Sequence, residues 1–409
     1  MHKGIVINGG WLISLEEELK KFPNIDLHVA FFAGKRERAF KFEGVTYYPM
    51  GFEKRPSPIM RVLNRMRSVK NVDKARLPWM LDVIEQSHPD IIHIHGSEGR
   101  FITIMPYVKN IPVVVSIQGM IASLREKFFA GFPKNVAYSL DSIADRIHLV
   151  GIRKDWKSFQ QRVIRECEYL SRTQYVFGRT FWDYNCTLAL NPQRKYYVVN
   201  EIMRQPFYHK QWKGIIDKEK VHLISTISGG IYKGFETVLK TASLLKERSN
   251  IDFLWHIVGF DDKYKWVQIA EKMTGLMSKE VNISFHGRKN AEELVEILCK
   301  SDIYVHVSHI ENSPNCVCEA MLVGMPIIAS YAGGTASLLE HEKEGVLVQD
   351  GDPYVLAGAI VNFVQNPDKA IMFAKKARER ALIRHDKQSV IGELLSGYTN
   401  IIKDFHSSQ

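Results

Sequence analysis

Apolar residues along the chain fall into two successive series of short runs, and the spacing between runs is filled by stretches of helical periodicity. The first series is Gly4–Asn8, Asp26–Phe32, Asp90–His95, Pro112–Ile117, Gln174–Phe177 and Lys195–Val199. The second is Val221–Ser228, Asp252–Gly259, Asn282–Gly287, Ile303–Ser308, Pro326–Ser330 and Gly345–Val348. Apolar runs of about four to eight residues bounded by turn residues read as buried strands. Their alternation with helices predicts an α/β architecture with parallel sheets, each series building a Rossmann-like domain. Gly9-Gly10 closes the first run, and the helical stretch Ser14–Lys21 follows. The polar, mixed segment Glu201–Lys220 separates the series and reads as a hinge, placing the expected domains at residues 1–203 and 204–385. In the final stretch, Ile391, Leu394, Leu395, Tyr398, Ile401 and Ile402 recur at helical intervals. They predict an amphipathic helix within residues 386–409 that seeks a surface to cover. Sheets of this kind bind ligands outside the carboxyl ends of their strands, so the expected site is a cleft between the domains.

A length of 409 residues exceeds one ordinary core, which agrees with two domains. With 45% hydrophobic and 24% charged residues the chain is neither disordered nor membrane-spanning in composition. It contains no apolar run of about eighteen residues, and Met1-His2-Lys3-Gly4 leads straight into the first apolar run. The expectation is a cytoplasmic protein whose membrane contact, if any, is peripheral and on the inner face. The formal charge of +10 suits an anionic partner such as a nucleotide, a phosphorylated substrate or an acidic lipid surface. A solvated basic surface explains the charge equally well. Nucleic acid is not expected, because no recognised motif occurs and the basic residues are not gathered into one tract. Five cysteines form no disulfide framework, and Cys316 and Cys318 lack a second Cys or His pair, so no metal site is expected.

The segment His309-Ile310-Glu311-Asn312-Ser313-Pro314-Asn315-Cys316-Val317-Cys318-Glu319 follows an apolar strand. Ser313 suits an N-cap and Pro314 the first helical position, so a helix should start there. Free N–H groups around Asn315 and Cys316 would then favour an anion, with Glu311 above the helix and Glu319 in its second turn. Two carboxylates beside an anion site suit a ligand with both hydroxyls and phosphate, which describes a sugar nucleotide. Ser228-Gly229-Gly230-Ile231-Tyr232-Lys233-Gly234 is a second candidate, since glycines admit close approach and Lys233 offers charge to phosphate. It is neither a Walker A loop nor a dinucleotide fingerprint. At other strand ends stand His95, which either faces the cleft or sits in the core, and Arg179, which either binds substrate or pairs with Asp183. Asn200, Glu201 and Arg204 near the hinge are similarly placed.

The Glu-x7-Glu segment, continued by Glu319-Ala320-Met321, Gly324-Met325-Pro326, Gly333-Gly334 and Asp352-Pro353, resembles the signature of the family-4 retaining glycosyltransferases. Trp255–Gly259, Ile283–Gly287 and Ser301-Asp302 extend the resemblance over roughly residues 221–385, and it continues more weakly through the first half. The resemblance implies a GT-B fold, with two Rossmann-like domains facing across a cleft and the C-terminal helix packing back toward the N-terminal domain. It also implies transfer without a metal or cofactor, a nucleotide-sugar donor serving as co-substrate. By resemblance Glu311 meets the donor sugar, Glu319 the ribose, and Lys233 the diphosphate. Gly9-Gly10 and Gly230 would admit the phosphates, and His95 and Arg179 would lie on the acceptor side. Two departures stand out. An Arg often found shortly before the lysine is absent, for which Arg288 is one replacement. Gln118 stands where many members carry His, and an amide cannot exchange a proton near neutral pH.

Pro58–Lys70 reads as a helix with Ile59, Val62, Leu63, Met66 and Val69 on one face and Arg61, Arg65, Arg67 and Lys70 around the rest. Such a helix either lies on an anionic membrane or packs on its own domain. Arg125–Lys157, with Phe128, Phe129, Phe132, Tyr138 and Trp156, is either an acceptor-side flap or a helical insertion. Together these features favour glycosyl transfer to a lipid-linked or polysaccharide acceptor in cell-surface glycan synthesis. The alternatives are a catalytically silent sugar-nucleotide-binding subunit and a synthase acting on a small soluble acceptor.

Overall fold

A computed structural model describes residues 10–53, 57–130, 132–217 and 219–408. The expected strand Gly4–Asn8 and Gly9 lie outside the described residues, as do the side chains of Pro58, Ile59 and Arg61.

After α1 (Gly10–Leu19), strand β1 (His28–Phe32) pairs in parallel with β3 (Val45–Met50), and β2 (Phe40–Phe42) runs antiparallel to β3. The sequence reading passed over β2 and β3. Their signal was Glu43-Gly44, whose φ values of 46° and 87° make the tight turn that matches strand twist. The expected single helix at Pro58–Lys70 is two helices, α2 (Pro58–Met66) and α3 (Val69–Ser87). Arg67 turns extended with ψ 145°, and the Ser68 hydroxyl accepts from the Asn71 N–H, so Val69 and Lys70 open α3.

Strands β4 (Ile92–His95), β5 (Val113–Ser116), β6 (Tyr175–Gly178) and β7 (Lys195–Val198) form a parallel sheet in that order. Between β5 and β6 come α4 (Ile121–Lys127), α5 (Lys134–Ser139), α6 (Ile143–Ile147) and α7 (Ile152–Leu170); α8 (Phe181–Leu190) joins β6 to β7. The segment Glu201–Lys220, with α9 (Gln205–His209), is no loose linker. Ile202, Met203, Phe207, Trp212 and Ile216 are buried, and the Trp212 indole donates to the Ser301 carbonyl at 2.7 Å. Each such side chain contributes about 1.5–3 kcal/mol. Polar composition concealed this anchoring because most of its few apolar residues point inward, Ile215 being the exposed exception.

The second half runs β8 (Val221–Thr226), α10 (Phe235–Arg248), β9 (Phe253–Val258), α11 (Lys265–Thr274), β10 (Ile283–Phe285), α12 (Ala291–Lys300), β11 (Ile303–His306), α13 (Asn315–Val323), β12 (Ile327–Ser330) and β13 (Val346–Val348). Helices α14 (Pro353–Gln365), α15 (Pro367–Arg384) and α16 (Lys387–Ser407) complete the chain. The strands form one parallel sheet in the order β10-β9-β8-β11-β12-β13. Leu223, Ile224, Val305 and Ile328 are fully buried, as expected of strands covered on both faces.

Helix α16 returns to the first half, packing Val390, Ile391, Leu394 and Ile401 against Leu15 and Leu19 of α1 and Val114 and Phe177 of the first sheet. The halves also meet through Ile121, Phe129, Trp156, Phe159 and Val163, which cluster with Ile231 and Ile269. The aromatic segment around Phe128 therefore faces protein: the Phe128 ring lies 4.9 Å from those of Trp156 and Phe159.

Candidate functional site

In the second sheet the chain leaves β8 toward one edge and β11 toward the other, so the crevice lies between their carboxyl ends. The turn after β8 ends at Gly234, where φ is 79° and a Cβ would stand 2.0 Å from the Val307 carbonyl oxygen. Only glycine lets the turn press against the end of β11 this closely. The His309 N–H then donates to the Tyr232 carbonyl at 2.9 Å, and Lys233 Nζ meets Glu311 Oε1 at 2.5 Å. Burial pushes the Glu311 carboxyl up, but Lys233 and His306 outweigh it and hold the pKa at about 2. Burial likewise lowers the Lys233 ammonium, and Glu311 more than restores it, so its pKa lies above the ordinary lysine value. Both groups are charged at neutral pH.

The helix after β11 begins at Asn315, with Pro314 in the capping position. Ser313 is not the cap: its hydroxyl donates to the Glu201 carboxylate instead. The N–H groups of Val317 and Cys318 return to the Pro314 carbonyl, whereas those of Asn315 and Cys316 make no hydrogen bond among the described residues. These are the unsatisfied donors of a helix start. Burial raises the Cys316 thiol to about 12, so it is a neutral lining group. Glu319, one turn on, accepts from Arg204 Nε at 2.9 Å and Nη2 at 2.6 Å. Burial raises the Glu319 pKa, and Arg204 opposes that shift. Gly10, at the start of α1, abuts the same arginine, since a Cβ there would stand 2.7 Å from Arg204 Cδ.

Loops from the first sheet face this arrangement. Asn312 joins them: its Nδ2 donates to the Ile117 carbonyl at 3.1 Å and its Oδ1 accepts from Thr180 Oγ1 at 2.6 Å. Gln118 is thereby held beside the Glu311 loop. Glu166 of α7 accepts from the Ser97 hydroxyl and the Ala122 N–H, both at 2.7 Å, tying the loop after β4 to that after β5. Burial raises its pKa to about 7. His95 packs on Trp11 and His93, and its Nδ1 has no partner among the described residues. Burial lowers its pKa to about 4, leaving a neutral imidazole. Arg179 does not pair with Asp183, which accepts instead from the Arg179 and Thr180 N–H groups. The guanidinium lies 3.6 Å from Glu201 and 4.8 Å from the Trp11 ring centroid. Arg288 is exposed beyond edge strand β10, and among the described residues it makes no hydrogen bond or ion pair with Lys233 or Glu311. Asn312 and Glu166 escaped the sequence reading; only the adjacency of Asn312 to Glu311 hinted at its role. Among the described residues no cluster of His, Cys, Asp and Glu is placed to hold a metal ion.

Charged groups converge where two α/β halves meet, and the second half carries most of them. Residues 209–380 match the family model for glycosyl transferases group 1. The chain is 27% identical over 172 residues to the putative colanic acid biosynthesis glycosyltransferase WcaL of Escherichia coli, a match covering 40% of this chain and 41% of that protein. Sucrose-phosphate synthase from Thermosynechococcus elongatus superposes with a TM-score of 0.67 at 15% identity, covering 98% of this chain and 94% of that one. The Anabaena protein HepE, solved with UDP and glucose, gives 0.64 at 16% identity, covering 95% and 96%. The fold is GT-B. The group 1 glycosyltransferase match contains Lys233, Glu311, Asn315, Cys316 and Glu319, and the structure adds Arg204, Asn312 and the first-sheet loops around them.

Proposed function

We propose that the protein is a retaining, metal-independent glycosyltransferase that moves a sugar from a nucleotide-sugar donor to a lipid-linked or polysaccharide acceptor. The observation that carries this reading is the pair of ion pairs, Lys233–Glu311 and Arg204–Glu319, set beside the free N–H groups of α13 at the switch point of the sheet. In this reading residues 1–203 form the acceptor-side domain, 204–385 the donor domain and 386–409 the crossover helix. Glu319 accepts from the ribose hydroxyls, Glu311 from the donor sugar, and Lys233 with the Asn315 and Cys316 N–H groups balances the diphosphate. No cofactor is called for. Gln118 orients the acceptor hydroxyl, and the departing phosphate takes its proton. HepE binds UDP-glucose and WcaL is a putative colanic acid biosynthesis glycosyltransferase, both of which agree with this substrate class. A thermal-shift screen over UDP-, GDP-, ADP- and CMP-sugars tests the donor assignment, because a ligand of the folded state stabilises it by mass action. Transfer that survives excess EDTA supports the metal-independent chemistry, and full inhibition reversed by Mg²⁺ contradicts it. Release of nucleoside diphosphate only with acceptor present separates an enzyme from a silent binding subunit.

The acceptor side is proposed to work against an anionic membrane. Met60, Leu63 and Met66 of α2 are exposed, as are Ile143 and Ile147 of α6. Arg65 Nη1 donates to the His148 carbonyl at 3.1 Å, which joins the two helices into one patch with exposed Arg67 and Arg146. Leu63 and Met66 are thus not packed on their own domain, and Phe128 takes no part. No helix among the described residues is long and apolar enough to cross a membrane. Sedimentation with phosphatidylglycerol vesicles should fall at high salt and on Arg65→Glu/Arg67→Glu substitution. A folded variant that sediments like wild type excludes this patch.

A further inference from the structure

The proposed donor site is short of positive charge. Lys233 is neutralised by Glu311, and Arg204 by Glu319, so neither pair alone offers the net charge a nucleoside diphosphate requires. Arg179 lies 3.6 Å from Glu201, and Arg288 is exposed beyond edge strand β10. A further cation stands on the opposite wall. Arg162 lies on α7, one turn before Arg165 and Glu166, beside Phe159 and Val163, which pack on Ile231 of the turn that carries Lys233. Its guanidinium stands 5.2 Å from the Phe159 ring centroid and, among the described residues, makes no ion pair and no side-chain hydrogen bond. Arg165, by contrast, is paired with Asp73 at 2.8 Å. Lys233 Nζ stands 5.3 Å from the Tyr232 ring centroid; burial raises the Tyr232 phenol, Glu311 adds to the shift, and Lys233 and Arg162 oppose it. Burial and the charge of Arg165 lower the Arg162 pKa, while Tyr232, Glu98 and Asp155 pull it back; the group remains a cation. A half-buried guanidinium that no carboxylate pairs directly is costly unless something anionic joins it.

We infer that Arg162 binds the diphosphate of the donor from across the crevice, supplying the second cation that the turn at Ser228–Gly234 lacks. A donor held by Lys233 on one wall and Arg162 on the other bridges the two halves. The inference rests on the donor site proposed above and adds the residue that completes it.

The test is isothermal titration of UDP, GDP and ADP into wild type, Arg162→Gln and Arg162→Lys, with the matching nucleosides measured by competition. For the diphosphate that wild type binds, Arg162→Gln should weaken affinity about tenfold or more. Arg162→Lys should recover part of that loss, and nucleoside affinity should not change. Equal weakening of diphosphate and nucleoside would show a structural role and overturn the proposal. Unchanged diphosphate affinity with a raised KM for acceptor would assign the anion to the acceptor and overturn it as well. Absence of binding of every diphosphate to wild type would remove the donor site itself, a failure distinct from wild-type affinity in Arg162→Gln.

Discussion

Two buried charge networks lie close together, and the same residue types serve different ends in them. In Lys233–Glu311 each side chain keeps 17% of its surface exposed. In Arg179–Glu201 the figures are 6% and 0%. Glu201 is closed in by Arg179, Arg384, the Cys318 thiol of α13 and the Ser313 hydroxyl. Burial pushes its carboxyl up, but the two arginines and His385 pull it down to about 2. That network has no open side and works as a staple between hinge, β6 and α15. The Lys233–Glu311 pair has an open side, so a ligand can take over both partners. Access, more than charge or pKa, distinguishes a scaffold from a site.

The largest expected effect breaks the staple. Glu201→Gln leaves Arg179 and Arg384 as buried cations without a counter-charge and should cost about 3–5 kcal/mol of stability. Urea unfolding measures it, and donor affinity in the folded variant should match wild type. Because the Glu201 pKa is depressed, its contribution is complete above the unfolded carboxylate range and is lost as pH falls toward 2. Next, Lys233→Ala should lower turnover about 10²–10³-fold with a smaller change in stability, as expected for removal of one charge facing a developing oxyanion. A Lys233 variant that merely unfolds more easily would erase the distinction between the networks. Gly234→Ala forces a positive φ on an L residue and a collision with the Val307 carbonyl, costing at least about 1–3 kcal/mol. Its donor affinity should fall as well, since the turn can no longer reach β11.

The smallest effect concerns His309, whose Nε2 lies 2.7 Å from Glu236 and whose Nδ1 lies 3.2 Å from Asp350, itself 2.9 Å from Lys127 of α4. Burial lowers the imidazole, but the two carboxylates raise it above its ordinary value. A raised folded pKa contributes stability that is full below the unfolded value and lost as pH rises through the folded one. The melting temperature of wild type should therefore exceed that of His309→Gln by more at pH 6 than at pH 9. An equal difference at both values would mean that the imidazole is neutral throughout.

Strand positions were legible because apolar runs in parallel sheets leave a strong local pattern, and the described strands from β4 onward fall inside the expected ranges except β6, which runs one residue further, to Gly178. The hairpin of β2 and β3 was missed because Phe40-Lys41-Phe42 is too short to show a period without its Glu43-Gly44 turn. Glu311, Glu319 and Lys233 stand in loops with recognisable neighbours, so their convergence could be anticipated. Their cationic and anionic partners could not. Arg204 lies 115 residues from Glu319, and Arg162 meets the Lys233 turn only after an insertion of four helices folds back on the second half. Pairings of that kind are products of tertiary packing and leave no local trace.

The central claim is that the two carboxylates and the lysine at the β8–β11 switch hold a nucleotide sugar. Calorimetric titration of wild type, Lys233→Ala and Glu319→Ala with the nucleoside diphosphate selected by the donor screen tests it directly. Glu319→Ala should lose the hydrogen bonds to a charged group, about 1.5–3 kcal/mol, and Lys233→Ala at least a tenfold affinity. Wild-type affinity in both folded variants would contradict the account.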